Sequence, residues 1–273
     1  MITYPNAKVN LGLYITEKRT DGFHSIETIF LPIPSLCDIL EVLPQEHQQE
    51  DVVFSESGLE VDGDFESNLC VKAYKHLNKH NPLPKVAMHL HKQIPMGAGL
   101  GGGSANGAFT LKMLNELTGN RVNNDELKNI ALELGSDCPF FLTNKPCFAT
   151  GRGEQLHELE LNLSGVYILL VNPSIHVSTG MAYSLSNPKP AVTDLRKIAH
   201  IPYHQWKTHV HNDFEKVVFP LHVEIKELKE WLYQLGAFYA SMSGSGSTVF
   251  GLFHTKPDTA AIPLNYYYHL SQF

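Results

Sequence analysis

The sequence has 273 residues, 43% of them hydrophobic, which is enough to bury the cores of one large domain or two smaller ones. Its 28 acidic residues outnumber 21 lysines and arginines, so the formal net charge is -7 at pH 7. This balance excludes a globally basic surface of the kind that binds nucleic acid or an anionic membrane. We therefore expect no nucleic-acid partner, and we expect any anionic ligand to bind in a local pocket.

The four cysteines, at positions 37, 70, 138 and 147, form no CxxC pair. They are typical of reduced thiols in a cytosolic protein, and they do not indicate a structural zinc site. The first residues, MITYPNAKVNL, have neither the basic region nor the apolar region of a signal peptide, and no later apolar run reaches about 18 residues. The expectation is a soluble cytoplasmic protein without a membrane partner, either a monomer or a homodimer.

Hydrophobic periodicity predicts a mixed α/β chain. Alternating or β-rich segments predict strands at residues 7–15, 26–32, 38–43, 51–54 and 86–91. Helical spacing predicts helices at residues 67–80, 104–118, 124–134, 193–200 and 213–235. A new buried strand begins with VYILLVNP at residue 166, so we predict two domains, 1–157 and 158–273. The last segment, IPLNYYYHLSQF, lacks the pattern of a clean closing strand.

The segment PMGAGLGGGSANGAFTL, residues 95–111, has six glycines within eleven positions and continues as a helical pattern. It follows the strand predicted at 86–91, so the order is strand, glycine loop and helix N-terminus. Free backbone N–H groups and the positive end of the helix dipole favour an anion there, and glycines let it approach closely. The alternative is a flexible turn. The candidate phosphate-binding residues are Pro95, Met96, Gly97, Ala98, Gly99, Leu100, Gly101, Gly102, Gly103 and Ser104.

Two common phosphate loops do not account for this segment. The spacing Gly97-x-Gly99-x-x-Gly102 fits the dinucleotide pattern, but that pattern requires a βαβ unit with an acidic residue about 20 positions later. Here a turn and a second helical pattern follow instead. The Walker A pattern GxxxxGK[ST] does not occur in the sequence.

Two charged residues elsewhere in the first half are candidates for a functional role. In the first predicted strand, Lys8, Asn10 and Gly12 alternate with apolar residues and share one face, which suits a ligand or, alternatively, simply faces solvent. Asp137 stands between a helical pattern and the apolar run CPFFL. It either caps a short helix that starts with Pro139 or, if buried, requires a partner.

Several of these segments together resemble the GHMP kinases. PxxxGLGxxS at 95–104 is similar to their second motif, and SMSGSGSTVFG at 241–251 is similar to their third. NAKVNLGLYITEKRTDGFH at 6–24 and LGSDCPFFL at 134–142 resemble the first motif and the catalytic aspartate segment of one branch, which acts in non-mevalonate isoprenoid synthesis. The resemblance spans residues 6 to 251 in the order expected for the family.

The resemblance implies the fold and the reaction. The N-terminal domain is expected to be like domain 2 of ribosomal protein S5, and the C-terminal domain to be ferredoxin-like. The implied reaction transfers the γ-phosphoryl group of ATP to the 2-hydroxyl of diphosphocytidyl-methylerythritol, a small-molecule acceptor. Mg²⁺ is expected to enter on ATP, and no protein ligand is assigned to it.

The resemblance also implies roles for individual residues. Lys8 and Asp137 are the expected catalytic pair, because a carboxylate accepts the hydroxyl proton while an ammonium keeps it ionised. Asn68 and Lys92 join the glycine loop as ATP-binding residues. The acceptor-binding residues are Asn10, Phe23, His24, Asp137 and Thr179, and the third-motif loop contributes Ser243, Gly244, Ser245 and Gly246.

Three positions leave details open. Phe23 stands where the family usually has tyrosine, so ring stacking is retained and a phenolic hydrogen bond is lost. Ala105 removes a second loop hydroxyl, so only Ser104 is assigned there. Ser178 could take the place of its neighbour Thr179.

Two alternative functions remain at this stage. A homoserine or mevalonate kinase of the same family would keep the glycine loop, but it would not explain the DGFH segment at 21–24. A nucleotide-binding regulator without turnover would have no use for a lysine and aspartate pair.

Overall fold

The computed structural model describes residues 1–61 and 63–273. Its strands are, in chain order, β1 (Ile2–Thr3), β2 (Asn6–Lys18), β3 (His24–Cys37), β4 (Ile39–Pro44), β5 (Val52–Gly58), β6 (Val86–Lys92), β7 (Cys147–Thr150), β8 (Gln155–Glu158), β9 (Tyr167–Asn172), β10 (Tyr239–Met242), β11 (Val249–Phe253) and β12 (Tyr267–Gln272). Its α-helices are α1 (Leu69–His80), α2 (Gly102–Leu117), α3 (Asn124–Leu134), α4 (Cys138–Thr143), α5 (Thr179–Leu185), α6 (Tyr203–His209), α7 (Glu215–Val218) and α8 (Val223–Gln234). Short 3₁₀ helices cover Phe65–Ser67 and Leu195–His200.

One compact unit is formed by residues 1–8, 32–96 and 101–144. Its sheet has the order β1-β4-β6-β5, in which β5 and β6 are parallel and the other pairs are antiparallel. β6 alternates strictly, with Val86, Met88 and Leu90 buried, because successive side chains of a strand point to opposite faces. Helices α1 and α2 pack against each other. The predicted strands and helices of this part are all present; α3 has the predicted ends, and the other elements have shifted ends.

The other compact unit is formed by residues 9–31, 97–100 and 145–273. It contains an antiparallel sheet of order β10-β11-β9-β12 and most of a second sheet of order β2-β3-β7-β8. Its core brings apolar residues of β9 and β11 against α8, including Leu169, Val171, Val249, Ile225 and Leu232. Both units draw on segments that are distant in the sequence, and the domain boundary after residue 157 stays a prediction.

One predicted element is wrong, and two points that the sequence left open are resolved. The C-terminal segment does form a closing strand, since β12 pairs along its whole length with β9. Its weak pattern reflects an edge strand whose side chains are half-buried or exposed. The single helix predicted at 213–235 is two helices, α7 and α8, because Pro220 lies between them and proline cannot continue a helix. The Lys8 and Asn10 face of β2 is buried, so it is not a solvated strand face.

Among the described residues, no helix combines the length and the apolar character that crossing a membrane requires.

Candidate active site

Lys8 and Asp137, the predicted catalytic pair, lie together in the first unit. Lys8 Nζ is 3.9 Å from Asp137 Oδ2, and the side chains are 7% and 28% exposed. Ser104, in the first turn of α2, donates a hydrogen bond from Oγ to Asp137 Oδ1 over 2.7 Å. The carboxylate therefore has a hydroxyl donor on one oxygen and an ammonium near the other, and it still reaches solvent.

The side-chain contacts of Asp137 show that its carboxylate does not cap a helix. Asp137 does occupy the N-cap position of α4, and Pro139 lies in the first turn of that helix. Its carboxylate nevertheless accepts no hydrogen bond from the backbone of α4, all of which lies in the described part of the chain. Since capping would require such a bond, the carboxylate is directed to Ser104 and Lys8 instead.

Burial shifts the pKa of Lys8. Desolvation lowers the pKa of its ammonium, and the negative charge of Asp137 raises that pKa by less. The side chain also packs against the glycine loop, because a Cβ atom on Gly101 would lie 3.0 Å from Lys8 Cε and 2.9 Å from Phe141 Cζ. Gly101 has φ of +69°, a conformation that glycine adopts without strain. Gly101 of the glycine loop and the side chain of Lys8 are therefore in close contact.

The glycines at the start of α2 are required for different reasons. A Cβ atom on Gly102 would lie 2.8 Å from Lys92 Nζ and 2.9 Å from Ile94 Cγ2, so the protein itself fills that space. A Cβ atom on Gly103 would find its nearest neighbour, Leu69 Cδ1, at 3.9 Å. Only the second position leaves room beside the helix N-terminus for a ligand.

This difference gives a test of the phosphate loop. We expect Gly102→Ala to lower the free energy of unfolding by about 1–3 kcal/mol through overpacking. Gly103→Val should retain the fold and weaken ATP binding about tenfold, because its branched side chain enters the open space. Thermal unfolding and calorimetry with ATP measure the two effects. Unchanged ATP affinity in folded Gly103→Val would indicate that the segment is merely a turn.

Two predicted ATP-binding residues make structural contacts in the first unit. The side chain of Lys92 is fully buried, and its ammonium pairs with Asp38. Asn68 is the N-cap of α1, and its Oδ1 accepts the N–H of Cys70 over 2.9 Å. A contact of either residue with nucleotide stays a prediction.

The other unit brings the middle of the glycine loop onto the third-motif loop. Ser243 Oγ donates to the carbonyl of Gly99 over 2.7 Å, and the N–H of Thr248 donates to the carbonyl of Ala98 over 3.3 Å. A Cβ atom on Gly99 would collide with the carbonyl of Ser243. Two motifs separated by about 140 residues in the sequence are therefore hydrogen bonded, and Gly99 is glycine because of that close approach.

Asn10, in strand β2, also contacts the third-motif loop. Its backbone N–H donates to Ser243 Oγ over 3.3 Å, and its side-chain amide donates to Thr28 Oγ1 over 3.0 Å. Asn10 is buried, and a Cβ atom on Gly244 would lie 3.5 Å from its Oδ1. The side chain is thus held in one orientation beside the third-motif loop.

The hydroxyls at the start of α5 have separate partners. Ser178 is the N-cap of this helix, and its Oγ accepts the N–H of Met181. Thr179 Oγ1 lies 2.8 Å from Ser245 Oγ in the third-motif loop. Of the two residues left open by the sequence, Thr179 is therefore the one that meets another predicted site residue.

Phe23 and His24, the cytosine-binding residues that the family resemblance predicts to stack on the base and to bind its edge, have cationic and aromatic neighbours in the same unit. Phe23 is 51% exposed, and the guanidinium of Arg152 lies 4.3 Å from its ring centroid. His24 stacks on Tyr183, with ring centroids 5.0 Å apart. Burial, and secondarily the charge of Lys18, lowers the pKa of His24, which favours the neutral ring. A neutral imidazole offers one donor and one acceptor to a ligand.

Sequence reasoning missed four residues that support these groups. Asp38 pairs with Lys92, while Asn212 donates from Nδ2 to the carbonyls of Met242 and Gly244. Tyr183 and Arg152 contact the rings of the predicted cytosine-binding residues. No local motif marks any of them.

The chain matches the profile described as GHMP kinases N terminal domain over residues 68–145 and the profile described as GHMP kinases C terminal over residues 189–267. It is 48% identical over 257 residues to the 4-diphosphocytidyl-2-C-methyl-D-erythritol kinase of Parabacteroides distasonis, which covers 94% of this chain and 93% of that relative. It is 50% identical over 253 residues to the kinase of the same name from Bacteroides fragilis, which covers 93% of this chain and 92% of that relative.

Solved structures agree with these sequence matches. A crystal structure of 4-(cytidine 5'-diphospho)-2C-methyl-D-erythritol kinase superposes with a TM-score of 0.78 at 33% identity, and the match covers 92% of this chain and 90% of that one. Homoserine kinase from Cytophaga hutchinsonii superposes with a TM-score of 0.68 at 15% identity over 98% of this chain and 95% of that one, which shows the fold alone. The predicted α/β fold with two GHMP kinase domains is confirmed. Because relatives about half identical to it align over more than nine tenths of its length, the chain belongs to the GHMP kinases and, within them, to the 4-diphosphocytidyl-2-C-methyl-D-erythritol kinase family.

Proposed function

We propose that this kinase transfers the γ-phosphoryl group of ATP to the 2-hydroxyl of 4-diphosphocytidyl-2-C-methyl-D-erythritol, in the non-mevalonate route to isoprenoid precursors. The observation that carries the proposal is the Asp137 carboxylate, which leaves its helix uncapped and lies beside Lys8 and Ser104. Phosphoryl transfer to an alcohol requires a base for the hydroxyl proton and positive charge near the transferring group. In this member of the family, Asp137 and Lys8 would supply them.

The catalytic roles follow from the charges of the pair. Asp137 accepts the proton of the acceptor hydroxyl as its oxygen attacks phosphorus. Lys8 keeps the carboxylate ionised and offsets negative charge on the transferring group. Ser104 holds one carboxylate oxygen through its 2.7 Å hydrogen bond, which directs the other oxygen, 3.9 Å from Lys8 Nζ, toward the proton.

ATP is proposed to bind with its phosphates at the N-terminus of α2. The open space at Gly103 and the unpaired N–H groups of a helix start favour an anion there. A cavity of about 190 Å³ beside Asn68, lined in part by Phe54 and Val61, offers apolar walls for the adenine.

Mg²⁺ is proposed to arrive on the phosphates of ATP. Among the described residues there is no group of three or more His, Cys, Asp or Glu side chains that could hold a metal. Mg²⁺ in kinase sites keeps several waters and binds substrate phosphates with few protein ligands, and no protein ligand is assigned to it. When bound, the ion would neutralise charge on the phosphates.

The acceptor is proposed to bind through Phe23, His24, Asn10 and Thr179. Arg152 already covers Phe23 from one direction, so a base would stack on the remaining exposed surface of that ring. His24 is held by Tyr183, and its neutral ring would hydrogen bond the edge of cytosine. Binding energy from this remote base then helps to position the hydroxyl that reacts.

The stacking role predicts a selective loss. We expect Phe23→Ala to reduce kcat/KM for the acceptor by the equivalent of about 1–3 kcal/mol, the range for truncating an aromatic stacked on a base. KM for ATP should not change, and Phe23→Tyr should be tolerated. Steady-state kinetics with each substrate varied in turn measure this. Tyr268, an aromatic residue that is 48% exposed and lies in strand β12, provides the control variant Tyr268→Ala, in which the acceptor constants should not change. If kcat/KM for the acceptor is unchanged in Phe23→Ala, the cytidine does not bind at this loop.

The proposed function itself is tested by an ATP phosphotransfer assay with three acceptors: 4-diphosphocytidyl-2-C-methyl-D-erythritol, mevalonate and homoserine. We expect turnover with the first alone. Turnover with either of the others would assign a different GHMP kinase reaction, and ATP binding without turnover on any acceptor would favour a regulator.

The cellular setting is part of the proposal. We place the enzyme in the cytoplasm, as a monomer or a homodimer, with functional domains at 1–157 and 158–273. Size-exclusion chromatography with light scattering measures the oligomeric state.

A further inference from the structure

A fully buried ion pair connects to both ends of the glycine loop in the first unit. The side chains of Asp38 and Lys92 are inaccessible to solvent, and Lys92 Nζ lies 2.5 Å from Asp38 Oδ2. The same oxygen accepts a hydrogen bond from Asn106 Nδ2 over 2.8 Å. The other oxygen, Oδ1, accepts the backbone N–H groups of Gln93 at 2.7 Å and Ile94 at 2.9 Å. One carboxylate therefore receives four donors.

These four donors lie on either side of the loop. Gln93 and Ile94 are the last residues before Pro95, and Asn106 is in α2, two residues after Ser104. The ammonium of Lys92 also lies against the first residue of α2, since a Cβ atom on Gly102 would be 2.8 Å from Nζ. Asp38 thus ties the strand that leads into the loop to the helix that leaves it.

Stability alone does not account for a buried pair of this kind. Removing two charges from water is costly, and well-packed apolar residues in the same place are often as stable or more so. Burial lowers the pKa of Lys92, although the charge of Asp38 opposes that change. What the arrangement does supply is a fixed geometry, because a carboxylate with four donors has a single well-defined orientation.

We propose that Asp38 is a positioning residue for ATP, which holds both ends of the glycine loop in the conformation that receives the phosphates. The proposal rests on the proposed function only in taking ATP as the ligand of the loop. Asp38 itself is fully buried and would act through the backbone of Gln93 and Ile94 and through α2. The side chain of Lys92 would act as its counter-charge.

The experiment measures ATP binding by calorimetry, without acceptor, on wild type and Asp38→Asn at a temperature where both are folded. Asparagine keeps the shape but replaces one acceptor by a donor that faces Lys92 or the backbone amides. We expect binding of ATP to weaken at least about tenfold, since small displacements in a preorganised site can cost up to about 100-fold. In kinetics, KM for ATP should rise while KM for the acceptor stays unchanged.

A matched control separates positioning from general destabilisation. Asn115, near the other end of α2, is also buried and makes two hydrogen bonds to the backbone of Val122, so Asn115→Ala should lower the melting temperature. It should leave the ATP dissociation constant within about twofold of wild type. Equal losses of ATP affinity in Asn115→Ala and Asp38→Asn, or none in Asp38→Asn, would overturn the positioning role.

A milder variant keeps the test valid if Asp38→Asn does not fold. Asn106→Ala removes one of the four donors and leaves the ion pair in place, so we expect the same selective rise in KM for ATP, about threefold to tenfold. Unchanged KM for ATP in this variant would then overturn the proposal. Failure of the proposed function is distinguishable, because it would appear in wild type, either as absent ATP binding or as no turnover with 4-diphosphocytidyl-2-C-methyl-D-erythritol, whereas the positioning role is judged from ATP affinities of the variants relative to wild type.

Discussion

Asp137→Asn is expected to reduce kcat by about 10²–10⁴-fold, the usual loss when a general base is removed. The amide has the same shape as the carboxylate, but it cannot accept the hydroxyl proton. It can still accept the hydrogen bond from Ser104 Oγ, which is 2.7 Å long in the native protein. We therefore expect ATP binding and the folded structure to be retained, and single-turnover kinetics with calorimetry to show the loss in the chemical step alone.

The chain offers a matched control for this substitution. Asp194 is 30% exposed, close to the 28% of Asp137, and it is a true cap, since its carboxylate accepts the N–H of Arg196. Asp194→Asn changes the same chemistry at a helix start and should leave kcat unchanged. If Asp137→Asn keeps most of its kcat, or if both variants lose activity equally, Asp137 is not the base.

The contrast between these two aspartates shows what sequence can and cannot decide. The pattern around Asp137 predicted a residue at the start of a short helix, and the structure has it there. The direction of its carboxylate depends on Ser104 and Lys8, which lie 33 positions before it and near the N-terminus. Contacts between such distant positions are fixed by the fold, so local spacing left the cap and the catalytic role equally possible.

Strands and helices with a strong period were predictable, because their side chains face one core. β6 alternates completely, and its predicted limits differ from the observed ones by one residue. β12 was missed, since an edge strand is stabilised by its backbone pairing with β9 and does not need an alternating pattern. Pro220 indicates a break in the helix predicted at 213–235. The helical spacing on both sides of it nevertheless led to the prediction of one continuous helix.

Supporting residues were the least predictable part of the site. Asp38 stands at the beginning of an ordinary β-rich segment, yet it receives four hydrogen bonds in the buried interior. Asn212 supports the third-motif loop through two backbone carbonyls. Family resemblance predicts which residues touch ligands, whereas residues that hold those groups in place become visible only with the contacts of the folded chain.

Lys8→Met is expected to lower kcat about 10²–10³-fold, because it removes a preorganised positive charge from the place where negative charge develops. Methionine has a similar length and packs well, so it should fill the space between Gly101 and Asp137. In the proposed mechanism the ammonium form of Lys8 is the active one. Since burial lowers the pKa of Lys8, the ammonium loses its proton at lower pH than an ordinary lysine, and the activity of wild type should fall earlier on the alkaline side.

The pH dependence identifies the group independently of the size of the loss. We would measure kcat for wild type, Lys8→Met and the surface control Lys145→Met from about pH 6 to about pH 10.5, the upper end lying near the pKa of a free lysine. Lys145 forms an exposed ion pair with Glu158, so its removal should change neither the rate nor the profile. The alkaline decrease should disappear from the residual rate of Lys8→Met. If the decrease persists in Lys8→Met, another group causes it. Burial also lowers the pKa of Lys92, so Lys92 would be the next residue to substitute. In that case the ammonium of Lys8 would not be the charge on which turnover depends.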